Sequence, residues 1–357
     1  MDPARRSERR DWPDREETAR SINWAIMAES ASSTLTALLG SRSIPVLALK
    51  CLIGAAERFS SETRVGILRG VPVRLLLLVV CFSALGQAAP LKALIVDGQN
   101  NHAWQTTTPV LKKLLQESGL FTVEVATSPA KDGDMSGFRP DFAAYSVVIL
   151  NYNGDSWSNG AKQNFETYMR NGGGFVAYHA SDNPFPEWKA YNQMIGVGGW
   201  GDRKSPGSGS KVRLVDGKIS LDPSLGVCGH HGNRLPFAVT VRDAEHPIMK
   251  GLPKVWMHAG DELYDSLCGM PKDLTILATA HSDPANSGTG EDEPMLMTIR
   301  YGKGRVFHTT LGHDVEAMKC VGFIVTFLRG AEWAATGKVT QKVPPDFPTA
   351  TEIRLRQ

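Results

Sequence analysis

From residue 91 onward, short apolar runs alternate with longer segments in which apolar residues recur every three or four positions. The first pattern is typical of buried strands, and the second is typical of helices packed on a sheet. Pro109 marks the predicted start of one helix, and Ser158 marks the start of another. The segments that we predict as the first four strands are the apolar runs 91–98, 146–152 and 175–179 and the alternating segment 121–127.

The rest of the chain continues this alternation. Residues 196–236, rich in Gly, Ser and Asn, are expected to form a long irregular excursion over the sheet edge, and residues 336–357 a loose tail. Short links between strands and helices predict an α/β fold whose helices cover a mainly parallel central sheet. The further predicted elements are strands at 237–241, 274–280, 295–301 and 305–310, a hairpin turn at 302–304 and a buried helix at 315–328.

Polar residues follow three of the predicted strands at the point where each strand ends. Because ligands of such sheets bind at the carboxyl ends of the strands, these residues are candidate substrate-binding groups. Aromatic faces suit sugar rings, so the nearby Trp104 and Trp157 are added as candidates, although most tryptophans pack in a core. The strand-end candidates are Asp97, Asn101, His102, Asn151 and Asn153.

Four residues are candidates for catalysis. His179 ends the fourth predicted strand, where its side chain either meets a structural partner or faces the ligand edge as a general base or metal ligand. His258 precedes Asp261 and Glu262 by three and four residues, a spacing that fits one helical turn or a compact loop. A carboxylate beside a histidine orients the ring and raises its basicity, so this group can transfer protons near neutral pH.

Three further residues complete the candidate substrate site, namely His231, Tyr264 and His313. His230 and His231 are adjacent and point to opposite sides in an extended segment, so only His231 is expected at the site. Tyr264 follows the acidic pair along the chain. His313 precedes the final predicted helix, which Asp314 can cap.

Histidines and acids from several loops are also suitable ligands for a divalent metal. The candidate metal ligands are His179, His258, Glu262 and His313, but no local spacing such as His-Glu-x-x-His supports them, so a metal is left open. Neither a P-loop nor a dinucleotide fingerprint occurs in the sequence. No nucleotide cofactor is therefore expected.

The N-terminal part contains a candidate export signal. After Arg74, an apolar run of about a dozen residues ends in Gln87-Ala88-Ala89, which is the three-part pattern of a secretory signal. Residues 71–89 are therefore predicted as a signal peptide, residues 90–335 as the working domain, and the protein as periplasmic or secreted. Residues 1–70 are an irregular leader: either translation starts further downstream, or a cytoplasmic segment precedes a retained signal anchor.

Composition narrows the range of partners. The 357 residues include 39 Lys+Arg and 37 Asp+Glu, a net charge of +2, so the chain lacks the positive excess typical of nucleic-acid-binding proteins. A small-molecule partner is expected, with membrane contact only through an uncleaved signal, and the oligomeric state is left open. Among the cysteines beyond the signal, Cys228 can pair with Cys268, whereas Cys320 is expected in the core.

Six strings rich in Gly, His and aromatic residues follow one another along the domain: His102-Ala103-Trp104, residues 174–179, 246–253, 258–264 and 302–308, and Leu311-Gly312-His313. Together they resemble the ThuA-like family, named for trehalose utilisation, over residues 91–330. The resemblance implies a class I glutamine amidotransferase-like, flavodoxin-like three-layer sandwich and a link to carbohydrate metabolism. Amidotransferases of this fold place a nucleophilic cysteine where this chain has His179, and an imidazole cannot form their thioester, so that activity is disfavoured.

Two functional hypotheses follow from the resemblance and the candidate residues. The first is an exported enzyme that acts on trehalose or a 3-keto-sugar by acid/base hydrolysis, elimination or isomerisation. The second is a non-catalytic carbohydrate-binding protein that uses the same edge of the sheet. Product formation supports the enzyme, whereas saturable binding without product supports the binding protein.

Overall fold

The structure is a computed structural model, and it describes residues 89–357. The predicted leader, and the predicted signal peptide except for Ala89, lie outside the described residues, so both stay predictions. Among residues 89–357, no helix combines the length and the apolar character that a membrane span requires.

Strands and helices alternate in the first part of the described chain, and strands dominate the second part. The helices are α1 Trp104–Glu117, α2 Asn159–Arg170, α3 Lys189–Ile195, α4 Val315–Met318 and α5 Val321–Thr336. The strands are β1 Leu91–Asp97, β2 Phe121–Thr127, β3 Val147–Leu150, β4 Gly174–Tyr178, β5 Lys204–Ser205, β6 Ser210–Val215, β7 Lys218–Asp222, β8 Gly226–Val227, β9 Leu235–Val241, β10 Val255–Asp261, β11 Cys268–Gly269, β12 Leu274–His281, β13 Asp292–Tyr301 and β14 Gly304–Thr309.

Nine of these strands form one sheet in the order β10-β9-β12-β13-β14-β4-β3-β1-β2. Neighbours from β2 to β14 are parallel, and neighbours from β14 to β10 are antiparallel. Seven of the nine strands therefore point the same way. The predicted α/β fold with a large, mostly parallel central sheet is confirmed.

The central part of the sheet is buried on both faces, because strands such as β3 and β4 are apolar along their length. In β1, Ala93 and Ile95 belong to one core, while Leu94 and Val96 belong to the other. The first core is packed by residues of α1 and α5, and the second by residues of α2 and α3. Alternation of side chains along each strand thus divides the apolar runs between two helix-covered faces.

Two predicted helix boundaries were wrong. Helix α1 begins at Trp104, so Pro109 lies inside it and not at its start. Proline there leaves the carbonyl of Gln105 without its helical donor, and Gln105 is exposed, so water can satisfy that carbonyl. The single helix predicted at 315–328 is two helices, because Cys320 has an extended conformation between α4 and α5.

The predicted irregular excursion at residues 196–236 contains regular structure, which corrects that expectation. Strand β6 pairs with both β7 and β11 in a second, three-stranded sheet, and β5 pairs with β8. Cys228 and Cys268, which the sequence allowed to pair, form a disulfide. Glycines in this region therefore provide turns between short strands, and do not indicate a long unstructured loop.

The C-terminal segment 336–357 is not a loose tail. The amide of Met257 donates to the carbonyl of Thr349, and the amide of Val321 donates to the carbonyl of Arg354. Phe347 is buried against Trp256, with ring centroids 5.5 Å apart. Polar, proline-rich composition suggested a free tail, but one buried aromatic ring and backbone hydrogen bonds hold the segment on β10 and α5.

Candidate functional site

A cavity of about 400 Å³ lies where several strands of the large sheet end. Its wall includes residues that follow β1, β3, β10 and β14, together with residues of the 196–236 segment. Its size falls in the range of about 300–1,000 Å³ that small-molecule sites occupy. The lining residues are Asn101, His102, Asn153, Asn183, Trp200, Gly201, His231, Glu262, Tyr264 and His313.

Glu262 lies at the centre of four imidazole rings. Its Oε2 is 3.6 Å from Nε2 of His102 and 3.5 Å from Nε2 of His179. Its Oε1 is 3.6 Å from Nε2 of His231 and 3.2 Å from Nε2 of His313. Four histidines that are far apart in the sequence thus present the same nitrogen to one carboxylate.

The outer nitrogen, Nδ1, of each of these rings also has a partner. In His179 it is 2.6 Å from the carbonyl oxygen of Thr310, and in His231 it is 2.8 Å from that of Gly232. Nδ1 of His102 is 3.2 Å from Oδ1 of Asn100. Nδ1 of His313 lies between Oδ2 of Asp314 at 3.3 Å and the guanidinium of Arg234 at 3.1 Å. These contacts fix the ring orientations with Nε2 turned inward.

Burial and neighbouring charges determine the protonation of Glu262 and of the histidines around it. Burial opposes ionisation of Glu262, but the neighbouring His102 and His179 hold its pKa well below the usual range. Burial lowers the pKa of His102, which outweighs the opposing effect of Glu262. Burial also opposes the charged form of His179, but Glu262 and Asp261 outweigh it, so the pKa of His179 is raised. The centre of the cavity is therefore a carboxylate at neutral pH.

Backbone conformation places His179 at the cavity. It follows β4 directly with φ of 44°, in the left-handed region that non-glycine residues rarely adopt. Such a conformation costs about 1–3 kcal/mol and is found most often at functional sites. The turn directs Nε2 of His179 to the hydroxyl of Tyr264, 2.8 Å away.

A glycine is required immediately before His313. Gly312 has φ of +99°, and a Cβ at this position would lie 2.6 Å from the ring of Phe323 and 2.9 Å from that of Tyr178. No other residue fits both the conformation and the space. The turn after β14 can therefore deliver His313 to the cavity only with glycine at 312.

His258 and Asp261, both predicted as catalytic, lie behind the cavity wall. They are fully buried, and Nε2 of His258 is 2.8 Å from Oδ2 of Asp261. Asp261 also accepts hydrogen bonds from the backbone amides of Gly312 at 2.7 Å and His313 at 3.0 Å. The pair therefore positions the turn that carries His313.

The shared direction of His258 and Asp261 has an origin that the sequence spacing did not reveal. Neither a helical turn nor a loop is present, because both residues belong to β10. The pairing register with β9 shifts between them, as it does at a β-bulge. In a regular strand, residues three apart face opposite sides, and the bulge brings these two side chains together.

Four predicted substrate-binding residues do not line the cavity. Asp97 and Asn151 are buried; Asp97 accepts a hydrogen bond from Thr127, and Asn151 donates to threonine hydroxyls of α1. Trp157 is buried among aromatic rings of the second core. Trp104, the first residue of α1, is half-buried and outside the cavity lining. Asp97 ends β1 and Asn151 directly follows β3, and the side chains of both turn back into the fold.

The other predicted residues are brought together. Asn101, His102, Asn153, His231, Tyr264, His313 and Glu262 line the cavity, and His179 contacts Glu262 and Tyr264. His230 pairs with Asp265 and does not line the cavity, as expected from the alternation of adjacent residues.

Three cavity residues were missed, Asn183, Trp200 and Gly201. Asn183 follows the short 3-10 helix after β4. Trp200 stands in the string Gly198-Gly199-Trp200-Gly201. Trp200 is flanked by glycines in a region with neither a helical nor a strand period. This pattern was the available sign that the ring lies outside the core.

The fold and the cavity define an α/β protein with a histidine- and acid-lined site at strand ends. The model of the ThuA family, described as trehalose utilisation, matches residues 92–334. The chain therefore belongs to the ThuA family, and the resemblance seen in the sequence is confirmed. Membership indicates a carbohydrate-related role.

Two solved structures are similar to this chain, to different degrees. A ThuA-like protein of Parabacteroides merdae ATCC 43184 is 49% identical over 75% of this chain and 98% of its own, with a TM-score of 0.74. A ThuA-like protein of Bacteroides uniformis ATCC 8492 is 20% identical over 71% of this chain and 95% of its own, with a TM-score of 0.48. Among curated proteins, none matches the sequence.

Proposed function

We propose that this chain is an exported enzyme of carbohydrate metabolism that acts on trehalose or a 3-keto-sugar by histidine and acid chemistry. The observation that carries the proposal is the convergence of four imidazoles on Glu262 inside a cavity of about 400 Å³. Titratable groups that converge in a concave site are the usual mark of catalysis.

The cavity wall suits a sugar. Asn101, Asn153 and Asn183 offer amide donors and acceptors to hydroxyl groups. Trp200 offers an aromatic face, and its ring lies 4.5 Å from that of Tyr264. Trp200 and the three asparagines bind and orient the substrate in the proposal, because their side chains do not transfer protons at neutral pH.

His179 and Tyr264 are the proposed proton-transfer pair. Nδ1 of His179 donates to the carbonyl of Thr310, so its Nε2 carries the lone pair and is the basic atom. The hydroxyl of Tyr264 donates a hydrogen bond to that nitrogen over 2.8 Å, so Tyr264 can take a proton from the substrate while its own proton passes to His179. Hydrolysis, elimination and isomerisation all begin with removal of a proton from water, a hydroxyl or a carbon next to a carbonyl. The site supports an enzyme of these three classes.

Export and the finer fold class belong to the same proposal. The signal-like pattern before Pro90 supports export, and so does the Cys228–Cys268 disulfide, since disulfides persist mainly in oxidising compartments. Helices on both faces of the sheet support the flavodoxin-like three-layer arrangement of class I glutamine amidotransferases. His179 stands in place of their nucleophilic cysteine, so amidotransferase chemistry is not part of the proposal.

A substrate panel tests the proposal. Purified protein is incubated with trehalose, other disaccharides and their 3-keto derivatives, and products are followed by NMR. We expect conversion of at least one of these sugars. Saturable binding without any product would instead support the alternative of a non-catalytic carbohydrate-binding protein, for which Trp200 and the three asparagines provide the binding surface.

A further inference from the structure

We infer that His102, Glu262 and His313 form a binding site for a divalent transition metal, with a coordination position open towards the cavity. The inference deepens the proposed function, because it adds a cofactor to the same cavity. Nε2 of His102, Nε2 of His313 and a carboxylate oxygen of Glu262 all lie within 4.8 Å of one another. Two histidines and one carboxylate are a common ligand set of catalytic metal sites.

The distances favour shared coordination over direct hydrogen bonding. Charge-assisted N–H···O hydrogen bonds are about 2.7–2.9 Å long. The contacts of Glu262 with His102 and His313 are longer, at 3.6 and 3.2 Å. Ligands at about 2.1 Å from a tetrahedral metal are about 3.4 Å apart, which lies between these two values. These two contacts involve different oxygens of the carboxylate, Oε2 for His102 and Oε1 for His313, and each is close to the spacing of two ligands on one ion.

The outer contacts of the rings support the same conclusion. Metal-binding histidines usually engage their second nitrogen with a carboxylate, carbonyl or water, and this contact fixes the ring. Nδ1 of His102 contacts Oδ1 of Asn100, and Nδ1 of His313 contacts the carboxylate of Asp314 at 3.3 Å as well as the guanidinium of Arg234 at 3.1 Å. A ring that donates from Nδ1 turns the lone pair of Nε2 inward, towards the lone pairs of Glu262. A cation between them removes this repulsion.

Neighbouring residues limit what the ion can be and what it can do. All three ligands are nitrogen or oxygen, and two are imidazoles, which suits Zn²⁺, Co²⁺, Ni²⁺ or Fe²⁺ better than Mg²⁺ or Ca²⁺. Nε2 of His179 is engaged by the hydroxyl of Tyr264, so His179 stays outside the ligand set. His231 lies 3.6 Å from Glu262 on the open side of the cavity. A substrate oxygen bound at the open position would be polarised beside His179.

Direct metal titration tests the inference. The purified protein is stripped with chelator and titrated with Zn²⁺ by calorimetry and with Co²⁺ by visible absorption. We expect about one ion per chain, a Co²⁺ absorption spectrum typical of four or five ligands, and a rise in the thermal midpoint. The variants His102→Ala and His313→Ala should each bind at least about 100-fold more weakly.

The control variant is His281→Ala, because His281 is exposed on β12 and its one ionic neighbour within residues 89–357 is Asp292. It should bind the ion as the unaltered protein does. If His102→Ala and His313→Ala lose their circular dichroism signal, His102→Gln and His313→Gln replace them. Absence of Zn²⁺ and Co²⁺ binding, or equal binding by the ligand variants and the control, overturns the metal site.

The outcome for the metal is separable from the outcome for the enzyme. Turnover that persists in chelator, with no ion bound, would reject the metal and leave the proposed enzyme standing. Stoichiometric binding that depends on His102 and His313, without turnover of any sugar, would support the metal site and reject the proposed function.

Discussion

Replacing Asp261 with asparagine should destabilise the protein in a manner that depends strongly on pH. Asp261 accepts hydrogen bonds from His258 and from the backbone amides of Glu262, Gly312 and His313, all at 2.7–3.0 Å. Asparagine preserves the shape but removes the charge. The buried imidazolium of His258 then loses its counter-ion.

The magnitude follows from the pKa of His258. Burial opposes the charged form, but the hydrogen bond with Asp261 outweighs it and raises the pKa of His258 from 6.5 to about 10. At about 1.4 kcal/mol for each pH unit, this difference corresponds to at most about 5 kcal/mol, of which roughly 4 kcal/mol is present at pH 7. Breaking a buried ion pair costs about 3–5 kcal/mol in other proteins, which agrees in size.

The sign of the pH dependence is fixed by the direction of this pKa. Because the folded state holds the proton more tightly than the unfolded state, the stabilisation is complete below about pH 6.5 and is lost as the pH rises towards 10. The free energy of unfolding should therefore differ between wild type and Asp261→Asn by about 3–5 kcal/mol at pH 6, and the difference should shrink towards pH 10.

Urea denaturation at pH 6, 8 and 10 measures these differences. A double-mutant cycle with His258→Gln serves as the control, since the effect of Asp261→Asn should become small once His258 is absent. A loss of stability that is equal at pH 6 and pH 10 would refute the reasoning, because it would show that the charge of His258 does not contribute.

Three further predictions concern other parts of the chain. Among residues 89–357, neither carboxylate oxygen of the fully buried Asp182 has a hydrogen-bond partner, and burial raises the pKa of Asp182 to about 7. Relative to the wild type, Asp182→Asn should therefore gain stability as the pH rises from about 4 to 7, by at most about 4 kcal/mol in urea denaturation. A difference that does not change with pH would contradict this. Cys228→Ser opens a cross-link of 40 residues and should cost about 4 kcal/mol, and reductant should lower the stability of the wild type equally. N-terminal sequencing of the exported protein should find a start near Ala89 or Pro90, and a chain that keeps residues 1–70 would contradict cleavage.

The sequence predicted the strands well because the central strands are continuous apolar runs, and strand β2 at the edge alternates between buried and exposed positions. Segments such as 121–127 match observed strands at both ends. The errors occurred where tertiary contacts overrule local composition. Phe347 packs on Trp256 and holds the supposed tail, and the disulfide joins a glycine-rich region to β11.

The site could be predicted only in part, for a related reason. Strand ends identified His102, His179 and His313 as candidates, because topology brings such positions to one edge. Sequence spacing could not show that a bulge turns the side chains of His258 and Asp261 to the same side of β10, since a bulge depends on the pairing partner. It also could not show that Trp200, in the glycine-rich segment 196–236, reaches the cavity.

The most direct test of the central claim is the turnover of 3-keto-glycosides by Glu262→Gln, compared with wild type and His281→Ala under identical conditions. Glutamine keeps the volume of the side chain but removes the charge on which the four imidazoles converge. We predict that kcat/KM falls by about 100-fold or more in Glu262→Gln, with circular dichroism unchanged, and stays at the wild-type value in His281→Ala. Wild-type turnover by Glu262→Gln would contradict the assignment of this cavity as the catalytic site.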